Sequence, residues 1–330
     1  MSQTRLRWGI LGTAKINRQV VPAIMQSASS TAHAIAGRSL PRAQAAAQEF
    51  GIPHAYGSYE ELLADPAVDA VYIPLPNHLH APWVRAAADA GKHVLCEKPL
   101  TLTASEAREL IDYCRAKNIR LMDGTFWPHH PRTAQMRQLL DAGRIGRVQR
   151  VNAVFTFNLP PDPGNIRLQP EMGGGSLLDV GWYCVYGIRW AMGAEPVRVW
   201  ATAQYAYGVD MFMAGQLWFA DDRTASFECG FTAPLRMWLE AVGTTGTLRV
   251  PQLWLADREA VYEVTPDGAD APEIIRAGPA NQVVAMIDDF AAAVRAGREA
   301  VPSPEESYRN MRVLDALAQS ARQERVVPLE

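Results

Sequence analysis

Glu97-Lys98-Pro99 follows a short apolar run over residues 93–96, and Lys98 is its chemically active member. In an open α/β sheet, ligands bind beyond the carboxyl ends of the strands. A lysine standing there can donate to a hydroxyl or carbonyl oxygen and exchange a proton with it. Pro99 fixes the backbone after Lys98 and biases Lys98 itself towards an extended conformation. Leu75, Pro76, Asn77 and His80 close or follow another apolar run, over 70–75, and so come to the same sheet edge. Asp179 and Tyr183 are four apart on a helix expected over 176–192, which places both on one face. A phenol can trade a proton with a substrate oxygen when a nearby cation lowers its pKa. His78-x-His80 and His129-His130 are only pairs; two histidines do not make a metal site, and no metal is expected.

Alternating strands and helices hold the first of these residues. Short buried strands are expected over 6–11, 32–36, 70–75, 93–96 and 119–122. A helix over 16–25 joins the first two. Ser39 and Pro41 open the next, as cap and first-turn proline. Ser58 with Glu61, and Thr103 with Glu106, form capping boxes. Such alternation implies a parallel sheet with right-handed crossovers. The rhythm changes after Gly124. A helix over 132–141 precedes a long β run over 147–157. The loop over 158–175 carries three prolines before Gln169 and then Gly173-Gly174-Gly175, which reads as a hinge. A loop of that length inside a compact domain is commonly functional. β runs over 197–264, turning at Asp221-Asp222 and from Gly243 to Gly246, make an antiparallel sheet, and helices over 281–296 and 304–322 close the chain.

The turn Gly9-Ile10-Leu11-Gly12-Thr13-Ala14-Lys15-Ile16-Asn17 joins the first strand to the first helix. Backbone N–H groups at such a helix N-terminus bind a pyrophosphate, and glycine lets the backbone come close. Of the Gly-x-Gly-x-x-Gly pattern only the first glycine is kept; the three positions read Gly12, Ala14 and Asn17. An acid after the second strand would hold the ribose 2′-hydroxyl of NAD. This chain has Gly37-Arg38-Ser39-Leu40-Pro41-Arg42 instead. Arg38 can stack on the adenine and pair with a 2′-phosphate, with Ser39 and Arg42 adding donors. NADP is therefore the expected cofactor, with NAD as the other candidate. Glu97 reads as a ribose or structural contact.

Bulk properties exclude several classes. At 330 residues the chain is long enough for two domains. A net charge of −3 gives no basic surplus for nucleic acid or an anionic membrane. No apolar run approaches the ~20 residues of a membrane span. Cys96, Cys114, Cys184 and Cys229 match no zinc or redox spacing and read as reduced apolar side chains. The stretch from Met1 to Arg7 shows no export pattern, so a cytoplasmic location is expected.

These segments resemble the glucose-fructose oxidoreductase/inositol dehydrogenase/rhizopine catabolism (Gfo/Idh/MocA) family. The resemblance is carried by residues 9–16, Pro76-Asn77-His78-Leu79-His80, Gly91-Lys92-His93-Val94-Leu95-Cys96-Glu97-Lys98-Pro99, and the block from Gly173 through Asp179 to Tyr183, in family order. The chain is most similar to the dihydrodiol dehydrogenase and D-xylose dehydrogenase branch, which is typically NADP-linked. The resemblance implies residues 1–124 as a Rossmann domain. It implies residues 125–330 as an α/β domain with an open, mostly antiparallel sheet, the last helix packing back on the Rossmann domain. It also implies a homodimer or homotetramer joined through that sheet.

The resemblance further implies hydride transfer between the nicotinamide and a carbon of a sugar or cyclic polyol. Lys98 and Tyr183 would handle the proton, and Asp179 would orient substrate and Lys98. Tyr183 stands where many relatives carry a catalytic histidine. Gly12, Thr13, Ala14, Lys15, Ile16, Leu75, Pro76, Asn77, His80 and Glu97 would line the cofactor together with Lys98. Trp127 would stack on a sugar ring or cover the nicotinamide, and Arg167 would donate to a substrate hydroxyl. Two other activities fit the same motifs: an NAD-dependent glycosidase that oxidises its sugar only transiently, and a cofactor-binding regulator without catalysis.

Overall fold

The computed structural model describes residues 5–255 and 260–329. Residues 1–4, where no export pattern is expected, and 256–259, inside the expected β region, lie outside the described residues. The chain divides into two compact units. The first runs to His129 and takes in Gln282–Tyr308; the second holds His130–Asn281 and continues from Arg309. The boundary near Gly124 expected from the sequence therefore falls at His129, where the short turn Trp127–His129 ends.

In the first unit strands and helices alternate without exception: β1 (Leu6–Leu11), α1 (Asn17–Gln26), β2 (Ser30–Ala36), α2 (Leu40–Phe50), β3 (His54–Tyr56), α3 (Tyr59–Ala64), β4 (Ala70–Ile73), α4 (His80–Asp89), β5 (His93–Cys96), α5 (Ala104–Ala116) and β6 (Leu121–Asp123). The sheet order is β3-β2-β1-β4-β5-β6, with every pair parallel. Order reverses between β1 and β4, which is where doubly wound sheets bind ligands. The register pairs Ile73 with Cys96 and Cys96 with Asp123, so the segments after β4, β5 and β6 leave the sheet side by side.

Both faces of this sheet are covered, as parallel strands require. Trp8, Ile10, Val20 and Ile24 are buried on one side, and Leu11, Val71, Ile73, Val84 and Leu110 on the other. The two capping boxes form with a shift of one residue. Ser58 Oγ accepts from Glu61 N at 3.1 Å and Thr103 Oγ1 accepts from Glu106 N at 3.2 Å. The two glutamates, however, accept from Gly57 N and Leu102 N, one residue before the cap. Ser39 stands at the start of α2 but makes no side-chain cap bond.

The second unit contains α6 (Pro131–Asp141), β7 (Val148–Asn158), α7 (Trp182–Met192), β8 (Arg198–Ala206), β9 (Val209–Trp218), β10 (Thr224–Gly230), β11 (Thr232–Gly243), β12 (Gly246–Val250), β13 (Val261–Pro266) and β14 (Glu273–Arg276). After them come α8 (Gln282–Ala296), α9 (Pro304–Gln323) and β15 (Val327–Pro328). The nine-stranded sheet has the order β14-β13-β12-β11-β7-β10-β9-β8-β15. All its neighbours are antiparallel except β7 and β10, so the sheet is mixed rather than purely antiparallel. Burial alternates strictly along β9, which buries one face and leaves the other open.

Both closing helices reach the first unit: α8 enters its core, and the first turn of the last helix, α9, packs on it, with Ser307 Oγ donating to Asp123 Oδ2, Glu305 pairing with Arg108 and Arg115, and Tyr308 against the core. Met286, Ile287 and Phe290 are buried with Trp8 and Ile24, and the Phe290 and Trp8 rings lie 5.3 Å apart. Most of α9, from Arg309 on, belongs to the second unit. No described helix is long and apolar enough to cross a membrane.

Candidate active site

In the first unit the β1–α1 turn has the form that a pyrophosphate needs. Gly12 has φ +120°, and a Cβ there would lie 3.0 Å from Leu75 Cδ2. Its own N–H goes to Ala36 O at 2.8 Å. The N–H groups of Thr13, Ala14, Lys15 and Ile16 have no acceptor among the described residues, and they lie just before α1. Orphan donors and the positive end of the helix dipole together suit an anion. Asn17 supplies what the missing third glycine would have left open. It is fully buried, and its Nδ2 donates to Gly12 O at 2.9 Å, closing the turn with a side chain. The sequence pattern gave Asn17 no role, because it scored only as an absent glycine.

Arg38 and Arg42 stand exposed after β2, with Ser39 half-buried between them. Among the described residues neither guanidinium is taken up by a carboxylate. Leu75 is buried, and Pro76 and Asn77 are half-buried in the segment after β4.

Glu97 and Lys98 are half-buried just past β5, and the Lys98–Pro99 peptide is cis. Glu97 N donates to Ile73 O at 3.0 Å, and Glu97 Oε1 accepts from Tyr72 Oη at 2.6 Å. Burial pushes the Glu97 carboxyl above its ordinary pKa, against the Tyr72 hydrogen bond and the Lys98 charge, which hold it down. A carboxyl fixed in this way is a structural contact first. His80 departs from its expected role. Its ring is fully buried, with Nδ1 2.7 Å from Pro99 O and Nε2 2.8 Å from Leu75 O. Both nitrogens are spent on backbone carbonyls, so the ring has none left for a cofactor or a metal.

Trp127 also departs from expectation. It is completely buried in the turn Trp127–His129 and offers no face on which a sugar could stack.

In the second unit Arg167, Asp179 and Tyr183 come together. The long loop after β7 is not structureless: it forms short 3₁₀ turns at Ile166–Leu168 and Pro170–Met172. The glycines that follow are a packed return rather than a hinge. A Cβ on Gly174 would lie 2.6 Å from Arg167 O, and Gly175, at φ +110°, would drive one to 2.3 Å from Asp210 Oδ1. The return brings Arg167 Nε to 2.6 Å from Asp179 Oδ2. Asp179 holds the Arg167 guanidinium above its ordinary pKa, and Tyr183 adds to this. The Arg167 terminal nitrogens have no acceptor among the described residues.

The helix carrying Asp179 is not α-helical at that point. Leu177–Gly181 is a π turn, and α7 begins only at Trp182. The one-face argument from a spacing of four therefore does not hold as stated, since a π turn is wider than 3.6 residues. Asp179 and Tyr183 are nevertheless both half-buried, while Tyr186 is buried. The Tyr183 ring lies 5.4 Å from that of Phe155 and 6.0 Å from that of Trp254.

Asp210, from β9, holds the start of this turn. Its Oδ2 accepts from Ser176 Oγ and from Leu177 N, each at 2.7 Å. Burial raises its pKa, and those two hydrogen bonds oppose the rise. Nothing local in the sequence marks Asp210, because the contact spans thirty-four positions.

Residues 6–125 match the family model described as an oxidoreductase family with an NAD-binding Rossmann fold, and residues 133–249 match that of the GFO/IDH/MocA C-terminal domain. The chain belongs to the Gfo/Idh/MocA family. It is 42% identical over 330 residues to a D-xylose 1-dehydrogenase (NADP(+)) of Haloferax volcanii, covering 98% of this chain and 100% of the relative. It is 35% identical over 254 residues to a trans-1,2-dihydrobenzene-1,2-diol dehydrogenase of Mus musculus, covering 76% and 75%. These two belong to the branch to which the sequence motifs pointed. Among solved structures, a 3-ketoreductase from Actinomadura kijaniata in complex with NADP and TDP-benzene superposes with a TM-score of 0.90 at 32% identity, covering 96% of this chain and 98% of the other. The same ketoreductase is solved with a tyrosine changed to phenylalanine and with a lysine changed to alanine.

Within this family fold, Asp210→Ala should lower stability and activity together. It leaves a buried hydroxyl and a buried N–H without an acceptor, costing about 1–3 kcal/mol. Loosening the π turn should lower kcat/KM by at least ~10-fold through misplacement of Asp179 and Tyr183. Thermal melting and steady-state kinetics check the pair. A lower melting midpoint with unchanged turnover would leave Asp210 as a plain stabilising contact.

Proposed function

We propose that the protein transfers a hydride between NADP and a CH–OH carbon of a sugar or cyclic polyol. The observation that carries this reading is the carboxyl edge of the parallel sheet. The four orphan N–H groups of Thr13 to Ile16, the free guanidinium groups of Arg38 and Arg42, and Lys98 all follow strands at that edge. The dehydrogenases and the ketoreductase to which the chain is similar support the reaction class.

The orphan N–H groups around Gly12 would take the pyrophosphate. Arg38 and Arg42, with Ser39, would take the 2′-phosphate that distinguishes NADP. Leu75, Pro76, Asn77 and Glu97 would line the remainder. When bound, the nicotinamide supplies or accepts the hydride. Lys98 and Tyr183 would hold and move the hydroxyl proton of the substrate. Asp179 fixes Arg167 through one nitrogen, which leaves the guanidinium fork for substrate hydroxyls. The lysine and tyrosine variants made in the ketoreductase involve the same two residue types.

The open face of the nine-stranded sheet would join subunits into a homodimer or homotetramer. Trp200 is 38% exposed there, and with Trp238, Gln216, Ser226 and Asn152 it lines a shallow depression across β7 to β11. Apolar rings among small polar groups are the usual make-up of a subunit contact.

Lys98→Met should reduce turnover by ~10²–10⁴-fold, the range for loss of a general acid or base, with little change in NADP affinity. Near-normal kcat in that variant would remove Lys98 from the chemistry. Removing both Arg38 and Arg42 as alanines should raise the KM for NADP ~10- to 100-fold, as expected for lost charge-assisted bonds, and leave that for NAD unchanged. Equal effects on the two nucleotides would argue against a 2′-phosphate site. Sedimentation velocity on Trp200→Glu should show the mass of a single chain where the parent protein shows a multiple of it; an unchanged profile places the contact elsewhere.

A further inference from the structure

The β4–β5 register ends at Ile73 and Cys96, with Glu97 N donating to Ile73 O. Past that point two loops continue, one through Leu75 to Asn77 and the other through Lys98 and Pro99. His80, the first residue of α4, spans them. Its ring is fully buried and lies with one nitrogen 2.8 Å from Leu75 O and the other 2.7 Å from Pro99 O. We propose that His80 is a positioning residue for Lys98, fastening the Lys98–Pro99 turn to the end of β4 without touching cofactor or substrate.

Imidazole suits this place because its two nitrogens leave a rigid ring in different directions, each against a carbonyl: the neutral ring donates to one of them and the imidazolium to both. A glutamine would bring one donor group and an oxygen, and a leucine would bring neither. The side chain is short and fully enclosed, so it has few alternative positions. A shift of the Pro99 carbonyl is passed back to Lys98 through Pro99 Cα, where the ring fixes φ and so couples the carbonyl's peptide unit to the Lys98–Pro99 unit before it. Displacement of a catalytic group by about 1 Å can cost ~10²-fold in rate. The clamp therefore bears on kcat, whereas the anion cradle around Gly12 is built separately by Asn17 and the β1–α1 turn.

The proposal rests on Lys98 as the proton handler. The test compares His80→Leu, His80→Gln and Lys98→Met with the parent enzyme. The readouts are kcat, substrate KM, the dissociation constant for NADP by fluorescence titration, and the melting midpoint. His80→Leu should lower kcat at least ~10-fold. The NADP dissociation constant should stay within about twofold, and His80→Gln should recover part of the loss through its single donor. Loss of NADP affinity in parallel with kcat would overturn the proposal and return His80 to the cofactor contacts. Unchanged kcat with only a lower melting midpoint would overturn it in favour of a purely structural role. If His80→Leu fails to fold, parent-level kcat in folded His80→Gln overturns it as well. Full turnover in Lys98→Met would remove the underlying assignment. An inactive Lys98→Met beside a fully active His80→Leu would remove only the present proposal.

Discussion

Every strand of a parallel sheet leaves at the same edge, and most of the first unit's function depends on that. The segments after β1, β2, β4 and β5 need no long-range device to meet; the ladder delivers them together. Gly12, Arg38, Asn77 and Lys98 are far apart in the chain but each lies within a few residues of a strand end. What remains to be set is the last few ångströms of each loop, and buried polar side chains do this. Asn17 closes the turn at Gly12, Tyr72 holds Glu97, and His80 joins the loops after β4 and β5.

The second unit has no such edge and solves the problem differently. Its sheet is mixed, and its candidate site residues come from a loop and an interrupted helix. Arg167 arrives by a glycine-lined return, Asp179 sits in a π turn, and Asp210 from β9 secures where that turn begins. A carboxylate that accepts hydrogen bonds from two buried donors is costly to disturb, because removing it leaves both unsatisfied. The same polar economy recurs at His129, whose buried ring meets Asp289 of α8 at 2.6 Å. There the contact secures α8 within the first unit.

Much of this was legible in the sequence. Strand and helix alternation, the β1–α1 turn, the triple glycine and the Glu97-Lys98-Pro99 block each depend on neighbours a few residues away, and local periodicity reports such dependence faithfully. The capping boxes at Ser58 and Thr103 formed for the same reason. The expectations that moved were those that depend on partners distant in the chain. The family resemblance implies His80 as a cofactor contact; its ring turns instead to Pro99, nineteen positions on. Trp127 is expected to stack on a sugar ring or cover the nicotinamide, yet its side chain is completely buried.

By itself, the sequence determined that there is a parallel nucleotide-binding sheet, that an amine follows its fifth strand, and that no acid follows its second. These are matters of residue type at positions set by short-range geometry. Only the tertiary structure decided which side chains face a ligand and which hold the backbone. It made His80 a clamp, Asn17 a substitute for glycine, Asp210 the cap of a π turn, and α8, with the first turn of α9, part of the first unit. The reason is physical: a buried polar group must find a partner wherever the fold provides one, and no spacing along the chain records where that will be.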